Sequence, residues 1–250
     1  MLALLFRKKK NVRAYSMVEL TMVIGIIAAL LSAVLYARNL ITNNKLLIVA
    51  SEYQQFKTAY SDFYTFYEAV PGDMNNAYDF FGANCGLDDI IANGGCNGDG
   101  DDSIEDEAES YKSTQHLALA KLLDGEYSGS ASSADVDDKL IKSHFDSGYY
   151  APLLDSALET ESYRGRFDKY HYIVFGQING EGEPYDPILT PSQALKIDNK
   201  LDDGVMWNGF VQIRYNDAGS CNGSDLVLAG NYDLASESFV CNLLFYVDVH

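Results

Sequence analysis

An acidic segment at 96–109 carries oxygen-bearing side chains from which a metal site could be built. Its candidate ligands occupy alternate positions and are Asn97, Asp99, Asp101 and Ser103. Amide, carboxylate and hydroxyl oxygens are the ligands that hard cations such as calcium prefer. The spacing therefore predicts a calcium loop.

The segment departs from a standard calcium loop at two positions. Asp102 stands where such loops have a turn glycine, and Ala108 stands at the twelfth position, where a bidentate acid belongs. Glu107 or Glu109 takes the place of that acid in our prediction. The alternative is a solvated acidic loop closed by a disulfide. Calcium is thus the one candidate cofactor, and nothing in the sequence requires any cofactor.

Other groups of reactive residues have simpler interpretations. Asp202-Asp203-Gly204 offers two more carboxylates, but Asp-Gly after a predicted helix is typical of a turn. We interpret Trp207 and the many tyrosines as core and interface residues rather than a binding face. The sequence has no GxSxG, HExxH or phosphate-binding glycine loop, and no Cys/His pair at suggestive spacing. We therefore predict that the chain is not an enzyme.

The four cysteines follow the apolar N-terminal region and fall into two local groups. Pairing within the groups gives Cys85–Cys96 and Cys221–Cys241, although three connectivities are possible and spacing alone does not choose among them. A zinc site is the alternative, but no CxxC occurs and the four histidines are scattered. We expect disulfides, which form in oxidising compartments.

Charge is divided unevenly along the chain. Residues 1–14 carry +5 and no acid, so with that +5 removed from the net charge of −18 the remainder carries −23. Such acidity excludes nucleic acid as the expected partner, because a phosphate backbone needs a basic face. A basic head before an acidic body is a targeting pattern.

A long apolar stretch follows the basic residues. With residues 15–18 it gives about 20 helical residues, roughly 30 Å, which spans a bilayer. A cleaved secretory signal is the alternative, but the stretch is long for one and no small-x-small site follows it. The preceding Lys/Arg cluster predicts a cytoplasmic N-terminus and an external body.

Glu19 stands just inside this apolar stretch. An ionisable group inside a membrane is costly and is by default a functional-site hypothesis. The alternative is a position at headgroup level, where no role is needed. Physical reasoning alone leaves both open.

The segment Arg13-Ala14-Tyr15-Ser16-Met17-Val18-Glu19-Leu20 resembles the processing site of type IV prepilins and pseudopilins. The resemblance implies cleavage by a prepilin peptidase between Ala14 and Tyr15, with Tyr15 as the N-methylated mature residue. It also implies that Glu19 pairs with a neighbouring subunit's N-terminus during assembly. The family usually has glycine at Ala14 and phenylalanine at Tyr15. Segments 70–77, 96–127 and 197–204 also resemble bacterial prepilin-like proteins.

The predicted helix continues beyond the apolar stretch to about residue 69. An apolar stripe recurs every three or four residues at Leu46, Val49, Tyr53, Phe56, Tyr60, Phe63 and Tyr67. Glu52 is predicted on a polar face, and Pro71-Gly72 ends the pattern. Further predictions are helices at 116–123 and 191–201, strands at 170–176, 209–215 and 239–247, and a surface loop at 128–138.

The expected fold is α+β and pilin-like, with the N-terminal helix packed on an antiparallel sheet and acidic, disulfide-tied loops. The predicted regions are a cytoplasmic leader at 1–14, a transmembrane helix at 15–37, its amphipathic continuation at 38–70 and an external globular domain at 71–250. The expected function is a pilin or pseudopilin of a bacterial inner-membrane-assembled filament that extends to the cell surface. Its partners would be other pilin subunits, the peptidase, the assembly platform and the bilayer. The alternative is a single-span periplasmic binding protein that does not assemble.

Overall fold

The computed structural model describes residues 15–85, 95–104, 107–130, 133–152, 171–214, 221–222 and 231–247. Its α-helices are α1 (Met17–Tyr67), α2 (Ala77–Phe81), α3 (Glu107–Leu119) and α4 (Pro191–Leu201). Its strands are β1 (Ile141–Lys142), β2 (Gly148–Pro152), β3 (His171–Gln177), β4 (Val211–Ile213) and β5 (Leu243–Val247). The leader with Ala14, and positions 170 and 215, lie outside the described residues.

The chain divides into two compact units, residues 1–44 and residues 45–250. In the first unit, the described helical residues bear exposed apolar side chains on every face, from Met17 to Ile41. Within the part of the chain that the structure describes, α1 contains a stretch that is long and apolar enough to cross a membrane, by length and composition. The predicted long apolar N-terminal helix is therefore present.

In the second unit, the aromatic stripe of α1 is buried as predicted. Val49 and Phe63 are fully inaccessible, and Tyr53 and Tyr60 are nearly so. Burial of a large apolar side chain contributes about 1.5–3 kcal/mol, so this stripe anchors the second part of α1 in the core. Glu68 has a positive φ of 53° directly after the helix, which ends before Pro71-Gly72.

The sheet has the strand order β1-β2-β3-β5-β4, and every neighbouring pair is antiparallel. α1 packs on it through aromatic contacts. The ring of Tyr53 stacks on Phe245 at 4.8 Å, and the ring of Phe56 meets Tyr150 edge-on at 4.7 Å. The α+β architecture with a long helix on an antiparallel sheet is confirmed.

Both local disulfides are present, Cys85–Cys96 and Cys221–Cys241. Leu189 pairs with Cys241 in an isolated bridge, which brings the second disulfide beside the start of α4. The predicted cysteine pairing is therefore confirmed.

Several predicted elements are present with different boundaries, and one has the predicted boundaries. The strands placed at 170–176 and 209–215 are β3 (His171–Gln177) and β4 (Val211–Ile213). The helix placed at 116–123 is α3, which begins at Glu107 and ends at Leu119. The strand placed at 239–247 begins at Leu243, since Phe239 is exposed. The helix at 191–201 is confirmed as α4, whose Thr190 and Gln193 form a reciprocal capping box.

Candidate functional site

Tyr15 and Glu19 lie at the start of the described chain, where both are exposed. Glu19 falls in the first turn of α1. A carboxylate in that position interacts favourably with the helix dipole. Glu19 and Arg38 are the only charged residues between positions 15 and 44. The large apolar side chains between Met17 and Ile41 are exposed.

The predicted metal loop is built around a residue that the sequence did not single out. Asp73 is almost fully buried, and its carboxylate accepts hydrogen bonds from the backbone N–H groups of Gly100, Asp101 and Asp102. Asp102 has a φ of 67°, so it adopts the left-handed conformation of the glycine it replaces. Carboxylate oxygens of Asp73, Asp99 and Asp101 lie within 4.8 Å of one another.

Burial raises the pKa of Asp73 to about 6, the bonds from Gly100 and Asp102 lower it, and a hydrogen bond with Asp99 raises it. The loop thus holds a carboxylate whose charge is only partly compensated. This is the electrostatic situation that a bound cation relieves.

The remaining predicted ligands have other contacts. The side chain of Asn97 accepts from the backbone N–H of Tyr78 at 2.8 Å. Glu107 lines a small cavity with Glu183 and Tyr185, and Glu109 is buried on α3. The backbone N–H of Ser103 donates to Asp101. The calcium loop therefore stays a prediction, with Asp73 as a member that sequence spacing missed because it lies more than twenty residues upstream.

The Asp202-Asp203-Gly204 turn contains a second group of acids. Asp198 of α4 is fully buried and accepts from the backbone of Gly204 at 3.0 Å and from the hydroxyl of Tyr232 at 2.7 Å. Asp202 accepts from the backbone N–H groups of Phe210 and Val211, and Asp203 accepts from Val205. These bonds support a structural turn.

Burial is the main cause that raises the pKa of Asp198 to about 6. The neighbouring carboxylates of Asp202 and Asp203 raise it further, while the bonds from Tyr232 and Gly204 lower it.

Glu52 was predicted on a polar face, and that prediction is wrong. Its side chain faces inward and accepts from Ser143 Oγ at 2.6 Å and from Tyr150 Oη at 2.8 Å. The backbone N–H and Nδ1 of His144 complete the set at 2.8 and 2.9 Å. Glu52 therefore joins α1 to the β1–β2 hairpin, where Lys45 also pairs with Asp146.

The imidazole of His116 is enclosed between α1 and two loops. Its Nδ1 accepts from the backbone N–H of Gly72, and its Nε2 donates to the carbonyl of Cys96 at 2.7 Å. The ring lies parallel to that of Phe63 at 5.9 Å. Burial lowers the pKa of His116 to about 4, so the neutral ring acts as a structural connector.

An open groove of about 860 Å³ runs along α1 beside residues 121–127 and 141–144. Its walls combine the side chains of Gln55, Asp62, Lys121 and His144 with apolar atoms. Neither group of acids that could hold a metal among the described residues lines this groove.

Comparisons with models of protein families, with curated proteins and with solved structures find no match to this chain.

Proposed function

We propose that this chain is a structural subunit of a membrane-assembled filament, of the pilin or pseudopilin kind. The observation that carries the proposal is the two-part character of α1. Residues 17–44 expose apolar side chains, whereas the stripe from Leu46 to Phe63 is buried in the second unit. One helix that serves both a membrane and a folded domain is what a tethered subunit needs.

The exposed part of α1 suits a bilayer before assembly and the interior of a filament after it. Large contiguous apolar surfaces mark membrane or protein contacts, and a stretch of about 20 residues satisfies the bilayer. Within a filament, the same side chains would be buried by neighbouring subunits. Glu19 is the one acid in this surface, and a carboxylate buried there requires a positive partner.

The resemblance of residues 13–20 to a prepilin processing site supplies that partner. Cleavage before Tyr15 creates a new N-terminal amine, and Glu19 of one copy would pair with that amine on the next. The subunit would sit in the inner membrane with residues 45–250 outside the cytoplasm before assembly. Pilus and secretion or DNA-uptake pseudopilus are alternatives within this class.

A tethered binding protein is the alternative from another class. It would need a ligand site in the second unit, and the groove beside α1 is one candidate cavity. The groove is open, and its walls combine acidic, basic and apolar side chains. This mixture does not indicate one chemical class of ligand. The filament proposal has the stronger support.

Two measurements test the proposal. Intact mass and N-terminal sequencing of the membrane-extracted protein should give a chain that begins at a methylated Tyr15. Glu19→Ala should leave that cleavage intact and remove the subunit from sheared filaments. Asp62→Ala, an exposed acid on the same helix, is the matched control and should assemble normally.

A chain that keeps Met1, or a Glu19→Ala variant that enters filaments at the wild-type level, would contradict the proposal. Surface filaments that disappear on deletion would identify a pilus. Intact surface filaments with lost secretion or DNA uptake would identify a pseudopilus.

A further inference from the structure

The loop after β3 holds the side-chain amide of Asn179 in an activated position. Its Oδ1 accepts from the backbone N–H groups of Glu181 and Glu183, each at 2.9 Å. Two converging N–H donors on one carbonyl oxygen stabilise negative charge that develops on that oxygen. The two donors therefore polarise the amide towards nucleophilic attack at Cγ of Asn179.

The next residue provides the nucleophile. Gly180 is exposed, and a Cβ built on it would meet nothing within 4 Å. Its backbone N–H makes no hydrogen bond among the described residues. Oδ1 of Asn179 reaches across Gly180 to the backbone N–H groups of residues 181 and 183. The loop also keeps Asn179 in place, since its backbone N–H donates to Glu183 O at 2.8 Å.

We propose that Asn179–Gly180 is a self-modification site that forms a succinimide and then aspartate or isoaspartate. The Gly180 nitrogen bonds to Cγ of Asn179, and the Cγ–Nδ2 bond breaks. The Gly180 amide proton leaves with Nδ2 as ammonia. Water then opens the ring. Attack at Cγ gives aspartate, whereas attack at the main-chain carbonyl gives isoaspartate with the chain routed through the side chain.

Other Asn-Gly pairs in the described residues lack this arrangement. At Asn97–Gly98, the Gly98 N–H donates to Met74 O at 3.0 Å, and the glycine is packed against the backbone of Asp73. At Asn208–Gly209, the amide nitrogen donates to Asp203 at 2.7 Å, and no N–H donor holds Oδ1. The fold therefore ranks Asn179 first, and Asn97 is blocked.

The experiment follows the purified full-length chain in detergent at mildly alkaline pH. Peptide mapping at intervals measures the gain of about one dalton and the isoaspartate product at each Asn-Gly pair. The same chain is followed in urea with its disulfides reduced, where every pair has the same local chemistry. Folding should leave Asn179 at least as reactive as in urea and should nearly stop modification of Asn97.

Gly180→Ala is the matched variant. The added methyl group has open space in the fold but hinders the Gly180 nitrogen, so modification of Asn179 should slow by several-fold while the unfolding midpoint stays unchanged. The proposal is overturned if folded Asn179 reacts more slowly than in urea. It is equally overturned if Asn179 reacts no faster than Asn97 in the folded chain, or if Gly180→Ala leaves its rate unchanged.

Discussion

The backbone N–H of Gly72 donates to Nδ1 of His116 at 2.9 Å, in a region that excludes water. Gly72 follows the end of α1, has a φ of 101°, and leaves no room for a Cβ against Glu109 and Ser113. The other ring nitrogen of His116 bonds the carbonyl of Cys96. One neutral imidazole therefore ties the end of α1 to the Cys85–Cys96 loop.

Replacement of His116 by alanine should destabilise the fold strongly. Both the Gly72 N–H and the Cys96 carbonyl would be left buried without their partner, and a cavity would form beside Phe63. Each unsatisfied group costs about 1–3 kcal/mol, so we expect a loss of about 3–5 kcal/mol. Urea unfolding followed by the fluorescence of Trp207, the single tryptophan, measures it. A loss below about 1 kcal/mol would contradict the connector role.

His116 should also make the fold sensitive to acid. The pKa of His116 is about 4 in the folded chain and takes the usual histidine value of 6.5 in the unfolded chain. Its contribution to the free energy of unfolding is therefore complete above pH 6.5 and is lost as the pH falls towards 4. The loss approaches about 3 kcal/mol, at about 1.4 kcal/mol per unit of pKa difference. His116→Gln should remove this part of the pH dependence. An identical pH profile for variant and wild type would show that His116 is not its source.

Asp198 should act in the opposite direction. Its folded pKa is about 6 and its ordinary value is 3.8, so its favourable contribution is complete below pH 3.8 and is lost as the pH rises through 6. Asp198→Asn should flatten that part of the profile, measured by urea unfolding over about three pH units that bracket the two pKa values. Asp62→Asn, at an exposed position, should leave the profile unchanged. A wild-type slope in Asp198→Asn would contradict the assignment.

Glu52→Ala should separate α1 from the β1–β2 hairpin. The hydroxyls of Ser143 and Tyr150 would lose their buried acceptor, and removing one member of such a buried charged network costs about 3–5 kcal/mol. Gln55→Ala, at an exposed position of the same helix, should cost less than about 0.5 kcal/mol. Equal unfolding free energies for the two variants would show that Glu52 does not hold the hairpin.

Removal of the Cys221–Cys241 disulfide by paired serine substitutions should lower stability by about 3 kcal/mol, since the bond closes a loop with a sequence separation of 20 residues. Reductant should lower the stability of the wild-type chain further than the paired substitutions do, because it also breaks Cys85–Cys96, and the paired variant should lose only the contribution of that second disulfide. Unchanged stability of the paired variant would show that the crosslink does not restrain the unfolded chain.

The sequence predicts elements well where apolar periodicity carries the information. The stripe from Leu46 to Tyr67 locates the second part of α1, and the spacing of Ala194, Ile197 and Leu201 on one face locates α4. It predicts poorly where polar residues are buried. The first two turns of α3 contain the buried polar residues Ser110, Lys112 and Ser113, so no apolar face marks the start of that helix.

The buried acids illustrate the same limit at the candidate sites. In the sequence, Glu52 looks like the other polar residues of α1, most of which are exposed. Only its contacts with Ser143 and Tyr150, which lie far along the chain, show that it is buried. Asp73 completes the Asp99–Asp101 group through a turn that brings it back towards the loop. The spacing of residues along the chain does not reveal contacts between residues that are far apart in sequence.

The strand order also determines when the sheet can be completed as the chain is synthesised. β5 comes last along the chain among the described strands, yet it lies between β3 and β4. Both of these earlier strands therefore keep an unpaired edge until β5 arrives, and an exposed edge can recruit foreign strands. Such non-local pairing also slows folding. The described part of the sheet therefore cannot be completed before residues 243–247 have been synthesised.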